Sequence, residues 1–149
     1  MKKLIILFAI FSLYGCDKTG MYDIMIINNS ESELICSLSR NEEIFDLKKL
    51  LIANEIEKGK KYERIDITSL FLSTIKADTT SNLNERPISW NRFINSSKDK
   101  KIRLYIIKKD SVNKYGWEGI HARNLYNKKY TLDIDDLDSL NWTIEYNGN

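Results

Sequence analysis

The chain has 149 residues, 42% hydrophobic and 30% charged, an ordinary balance for one globular domain and too apolar for a disordered one. One proline and six glycines advertise no long linker, and eight tyrosines with three tryptophans favour strands over an all-helical bundle. The net charge of +2 comes from Lys2 and Lys3, and from Cys16 onward 21 basic residues meet 21 acidic ones. Such a surface has no cationic excess for phosphates, which sets nucleic-acid binding aside.

Lys2 and Lys3 precede a ten-residue apolar stretch, residues 4–13, half the roughly 20 residues that a membrane-spanning helix needs. It has no polar face, so residues 1–15 read as a secretory signal and stand outside the fold. The Leu13-Tyr14-Gly15-Cys16 that ends it resembles the lipobox of bacterial lipoproteins, with Tyr14 where a small residue is more usual. The resemblance implies that the Cys16 thiol accepts a diacylglyceryl group and that a peptidase cuts before it, where Gly15 leaves room. Two or three acyl chains hold a membrane far more firmly than one. The expected partner is therefore a membrane, reached through Cys16, with residues 17–21 as a tether and residues 22–149 as a single globular domain. Cys36 then has no intramolecular disulfide partner and reads as a small buried residue.

In "YDIMIINNS", Tyr22, Ile24 and Ile26 alternate with Asp23, Met25 and Ile27, so the stretch is apolar on both faces and reads as a central strand. Asn28 and Asn29 are expected to turn it into "ELICSLSR", an antiparallel partner with Leu34, Cys36 and Leu38 on one face. Residues 41–57 break the alternation, and Ile44, Leu47, Leu50 and Leu51 approximate a helical stripe ending near Gly59. "KKYERIDI" returns to a strand pattern, whereas residues 70–87 decay from apolar into Ser, Thr and Asn and read as a surface loop after a short apolar element. Trp90, Phe93 and Ile94 mark one face of a short helix. "IRLYIIKK" is a strand with Ile102, Leu104 and Ile106 inward, and a short helix is expected near residues 116–123. "NKKYTLDI" gives a strand with Tyr130 and Leu132 inward. Asp133 with Asp136 three residues on caps a helical turn that buries Ile134, Leu137 and Leu140. "NWTIEYN" closes as a strand with Trp142, Ile144 and Tyr146 on one face. Six strands with short helical inserts predict a mainly β, α+β fold, a small antiparallel β-sandwich, too unevenly spaced for a βαβ series.

No catalytic constellation stands out. His121 has Glu118 three residues earlier but no activated nucleophile, so it reads as a surface histidine. Asp133, Asp135, Asp136 and Asp138 invite a calcium loop, but its sixth and twelfth places hold Asp138 and Ile144 instead of Gly and Glu. One histidine and one cysteine beyond Cys16 are too few for zinc, and neither a phosphate-cradling glycine loop nor a G-x-S-x-G elbow occurs. No cofactor or metal is expected. Trp90 and Trp142 fall on inward faces, while Trp117, beside two glycines, is the tryptophan kept as a ligand contact.

Together "YDIMIINNS" after the cysteine, "IRLYIIKKDSV", "GWEGI" and the ending "YTLDIDDLDSLNWTIEYNG" resemble a family of small uncharacterised lipoproteins of Bacteroides-type bacteria. The resemblance implies fold and a cell-envelope location, with the outer membrane favoured and both its faces open, and supplies no activity. It also brings in the short O-glycosylation pattern of those bacteria at Asp78-Thr79-Thr80, Asp110-Ser111-Val112 and Asp138-Ser139-Leu140. The function expected is a non-enzymatic binding or assembly module with a protein or glycan partner. Its rivals are a hydrolase using carboxylates such as Glu118 or Asp135 on an envelope polymer, and an immunity or inhibitor lipoprotein.

Overall fold

The computed structural model describes residues 22–44, 72–83 and 89–148. The expected signal and Cys16, the body of the helix ending near Gly59, and the strand through Ile65 and Ile67 lie outside the described residues. Within them, β1 (Met25–Asn28), β4 (Thr79–Asn82) and β7 (Thr143–Tyr146) form one sheet in the order β4-β1-β7. A second sheet, in the order β3-β2-β5-β6, comprises β2 (Leu34–Ser39), β3 (Leu72–Ile75), β5 (Ile102–Lys108) and β6 (Lys128–Leu132). All pairs are antiparallel except β1 with β7. Among the described residues three helices join them: α1 (Trp90–Asn95), α2 (Lys109–Arg123) and α3 (Ile134–Ser139). This is the mainly β, sandwich-like α+β fold that the alternating patterns predict.

The inner faces build the core. Ile24, Ile26, Ile144 and Tyr146 of the first sheet meet Leu34, Cys36, Leu38, Ile102, Leu104 and Ile106 of the second. Trp90 and Ile94 of α1, Leu137 of α3 and Trp142 close one end. β1 sits centrally, as its two apolar faces require, with Ile26 fully buried and Met25 and Ile27 half-buried. β5 is apolar on both faces for a second reason. Its outward Tyr105 and Ile107 join Ile44 and Ile120 in a smaller cluster beneath α2.

Strand registers give the sandwich two poles. Chain entry at Tyr22, the start of β5, the end of β6, α1, α3 and Trp142 gather at one. The links 29–33, 76–78 and 124–127 gather at the other.

Four expectations need correction. β1 and β2 are not a hairpin: the link between them passes from one sheet to the other, as does the link from β3 to β4. Asn28 is the reason. It is fully buried, and its Nδ2 donates to the backbone oxygens of Ser32 (2.8 Å) and Lys76 (2.9 Å), tying both crossings together. Its Oδ1 accepts from the Ser30 backbone N–H (3.0 Å) and from Ser30 Oγ (2.7 Å). Residues 70–87 are not mainly loop, since they include β3 and β4. Both are short outer strands, and the exposed Thr79, Thr80 and Asn82 suit an edge facing water. The helix expected near residues 116–123 is present, but it is preceded by a helical segment that the pattern did not give, running from Lys109 directly after β5 and parted from it at Gly116 (φ 64°, ψ 167°), a backbone region essentially confined to glycine. Leu140 is not buried. It is the C-terminal cap of α3 and 42% exposed.

Candidate functional site

Three places concentrate side chains that could act, and the pole where the chain enters is the most aromatic. Ser89 begins α1 as its N-cap, its Oγ accepting from the Arg92 backbone N–H (3.3 Å), and this sets Trp90 inward. The Trp90 indole N–H donates to the Tyr22 carbonyl oxygen (2.7 Å). α3 begins with the capping box expected of Asp133 and Asp136, each side chain accepting from the other's backbone N–H at 2.9–3.0 Å. Those bonds, led by the Asp136 N–H, hold the Asp133 carboxyl below its usual range, and Lys101 adds to the effect at 3.2 Å.

After α3 the chain places Asn141 (φ 49°) and Trp142 (φ 57°) successively in the left-handed region, a costly conformation for so bulky a residue as tryptophan. Surrounding bonds hold it there. The Trp142 backbone N–H donates to Leu137 O (2.8 Å), its indole N–H donates to Asp138 Oδ1 (2.8 Å), and its carbonyl oxygen accepts from the Met25 N–H (2.9 Å). The ring packs at 5.7 Å from that of Trp90, and Tyr22 stacks over it at 5.6 Å with planes 21° apart. Trp90 and Trp142 are buried, as expected, while Tyr22 is 45% exposed.

A second concentration is ionic, and sequence reading missed it. Arg103 lies on the outward face of β5, only 4% exposed, with Asp99 from the preceding turn and Glu42 from the end of β2 both bonded to its guanidinium. Nε donates to Glu42 Oε1 (2.8 Å) and Nη1 to Asp99 Oδ1 (2.8 Å). Lys129 of β6 adds a 2.9 Å bond to Glu42, whose backbone oxygen accepts from Tyr105 Oη (2.7 Å). The hydrogen bond from Arg103 holds the Asp99 carboxyl at about 2. Bonds from Lys129 and then Arg103 lower that of Glu42, and the carboxylates raise Arg103. Such a buried cation needs full pairing, so the cluster keeps its charges rather than passing protons. An arginine inside "IRLYII" was the available signal, since the neighbouring outward residues are apolar enough to be covered.

The third is α2. Trp117 is half-buried, packed with Tyr115 and Leu125 against Ile44, Tyr105, Ile107 and Ile120, so it carries part of the smaller cluster and presents only its remaining surface. Tyr115 lies between the Lys114 ammonium and the Arg123 guanidinium, each 5.0 Å from its ring centre. His121 is half-buried and Glu118 exposed on the same half of this helix. Cys36 faces the opposite side of the sheet, within the core, and burial pushes its thiol up to about 12. It therefore cannot pair with His121 as a nucleophile. Among the described residues no group of three or more His, Cys, Asp or Glu could hold a metal ion, and the acidic run from Asp133 caps α3 instead. Of the glycosylation-pattern hydroxyls, Thr79, Thr80 and Ser139 are exposed and Ser111 is half-buried.

No family model, curated protein or solved structure matches this chain.

Proposed function

We propose that the chain is a cell-envelope lipoprotein, held at the outer membrane through Cys16, whose sandwich domain works as a binding or assembly module for a protein or glycan. The observation that carries the reading is Leu13-Tyr14-Gly15-Cys16 behind Lys2, Lys3 and a ten-residue apolar stretch. Charge balance from Cys16 onward supports a domain that meets membranes through lipid rather than through a basic face. No helix among the described residues is long and apolar enough to cross a membrane.

Among the described residues, the direction in which the perturbed carboxylates move supports binding over hydrolysis. A glycosidase-type general acid needs its pKa raised, whereas Glu42, Asp99 and Asp133 are all held down by donors. Trp117 remains the proposed ligand contact on α2, acting with the exposed part of its ring.

Growth with labelled palmitate, followed by fractionation, tests the anchor. Wild type is expected in the outer-membrane fraction carrying label, and Cys16→Ser in the soluble fraction without it. Unlabelled wild type that fractionates with the soluble variant would refute the reading. Crosslinking in intact cells then tests the module, with Trp117→Ala expected to lower partner yield while leaving membrane attachment unchanged.

A further inference from the structure

We infer that the pole bearing Tyr22, Leu140 and Trp142 lies against the bilayer, and that the opposite pole, made of links 29–33, 76–78 and 124–127, is turned away from it. The inference rests on the anchor proposed above and adds to it an orientation.

Three observations converge. Six residue steps separate Cys16 from Tyr22, so even fully extended chain spans only about 20 Å between them. Tyr22 is also fixed to the domain rather than hanging from it. Its carbonyl oxygen takes the Trp90 indole N–H at 2.7 Å, and its ring stacks on Trp142. The leash therefore leaves from one defined point, and the seven residues of β5 put the far pole on the order of 20 Å beyond it. Finally, two of the three large hydrophobic side chains exposed among the described residues sit at this pole. Tyr22 is 45% exposed over the Trp142 ring, and Leu140, two residues before Trp142, is 42% exposed.

Leu140 caps a helix whose other large apolar residues, Ile134 and Leu137, pack into the core, Leu137 fully buried, so its outward turn is set by geometry. The successive left-handed residues Asn141 and Trp142 make that geometry, turning the chain so that Trp142 goes in and Leu140 stays out. A partly exposed leucine and a partly exposed tyrosine at one pole are side chains that the bilayer interface accommodates, the apolar body in the acyl boundary and the phenol among headgroups. The far pole exposes Asn29, Glu31 and Asp78 together with Tyr126, and the near pole exposes Asp135, Asp138 and Asn141 around Leu140, so the fixed exit point at Tyr22 carries the orientation and the apolar contact adds to it.

The test uses full-length lipidated protein reconstituted into phosphatidylcholine vesicles, with a fluorescent label at Leu140→Cys or at Glu31→Cys, one for each pole. Both positions are exposed, and the buried Cys36 stays unlabelled in the wild-type blank. Brominated lipid is expected to quench the label at position 140 several-fold more than the label at position 31. An aqueous quencher should show the reverse order. Equal quenching at the two positions, or stronger lipid quenching at position 31, overturns the orientation. Flotation of the same samples separates the two ideas. Protein that fails to float with vesicles removes the anchor, whereas floating protein with equal quenching removes the orientation alone. Leu140→Ser extends the test without a label near the pole. Fluorescence of a probe at position 31 should then show greater mobility on vesicles, and an unchanged signal counts against the apolar contact.

Discussion

Asn28 offers the sharpest test of how the two sheets are joined. Replacing it with alanine removes four hydrogen bonds at a fully buried position, two of them given to backbone oxygens on different sheet crossings. At about 0.5–1.5 kcal/mol net for each bond, the loss is about 2–6 kcal/mol, and about 3 is expected because Ser30 Oγ can turn toward other acceptors. At roughly 3–4 °C per kcal/mol for a domain of this size, melting should fall by about 10 °C. The isosteric Asn28→Asp separates packing from bonding. Its carboxylate oxygen would face the Ser32 and Lys76 carbonyls where a donor stood, so burial and repulsion raise its pKa. The variant should therefore be worst at neutral pH and recover as pH falls and the group becomes a neutral donor, whereas the alanine variant's deficit stays flat with pH. Urea unfolding of the purified chain, followed by tryptophan fluorescence at several pH values, reads both. An alanine variant within about 1 kcal/mol of its parent, or an aspartate variant whose deficit ignores pH, would refute the idea that Asn28 clasps the crossings.

The Arg103 cluster sets an acid limb. Asp99 sits at about 2 in the folded chain, below the roughly 4 of an unfolded aspartate, so its contribution is complete above pH 4 and is lost as pH falls toward 2. The urea midpoint should drop across that window, and Asp99→Asn should flatten the drop. At the helix break, Gly116→Ala meets no neighbour within 4 Å but must adopt φ +64°, costing about 1–3 kcal/mol, and an unchanged midpoint would mean that α2 straightens instead. Cys36, buried and with its thiol pushed up to about 12, should resist a thiol reagent at pH 8 until urea unfolds the chain. Rapid native labelling would show that the core opens readily.

Much of the sandwich was legible because alternation and burial agree. Ile24 with Ile26, and Ile102 with Leu104 and Ile106, announce inner faces, and Asp133 with Asp136 announces a helix start. What escaped was non-local. Asn28 carries a turn signal, yet whether a chain turns within a sheet or crosses to another depends on Lys76, 48 residues away. β4 hides behind Thr, Ser and Asn because an exposed edge strand needs little apolar cover, and β3 is short, with buried Leu72 and Ile75 spaced by Ser73 and Thr74. Residues 109–115 have Asp, Ser, Val and Asn, poor helix formers, and the tertiary contacts of Val112 and Tyr115 with the smaller cluster offset that weakness. Arg103 was legible as an oddity in an apolar strand, but its partners Glu42 and Asp99 were not, since only folding brings them to it. Trp142 was readable as buried, whereas the exposure of Leu140 depends on two left-handed residues that no helical periodicity foretells.

The parallel pair β1–β7 has a consequence for the timing of folding. Ile26 and Ile144 are register partners separated by more than a hundred residues, so the central strand of its sheet keeps one edge unsatisfied until β7 has been made. A chain still emerging from the ribosome cannot close that sheet, and the sandwich becomes solid only once β7 is free to join it.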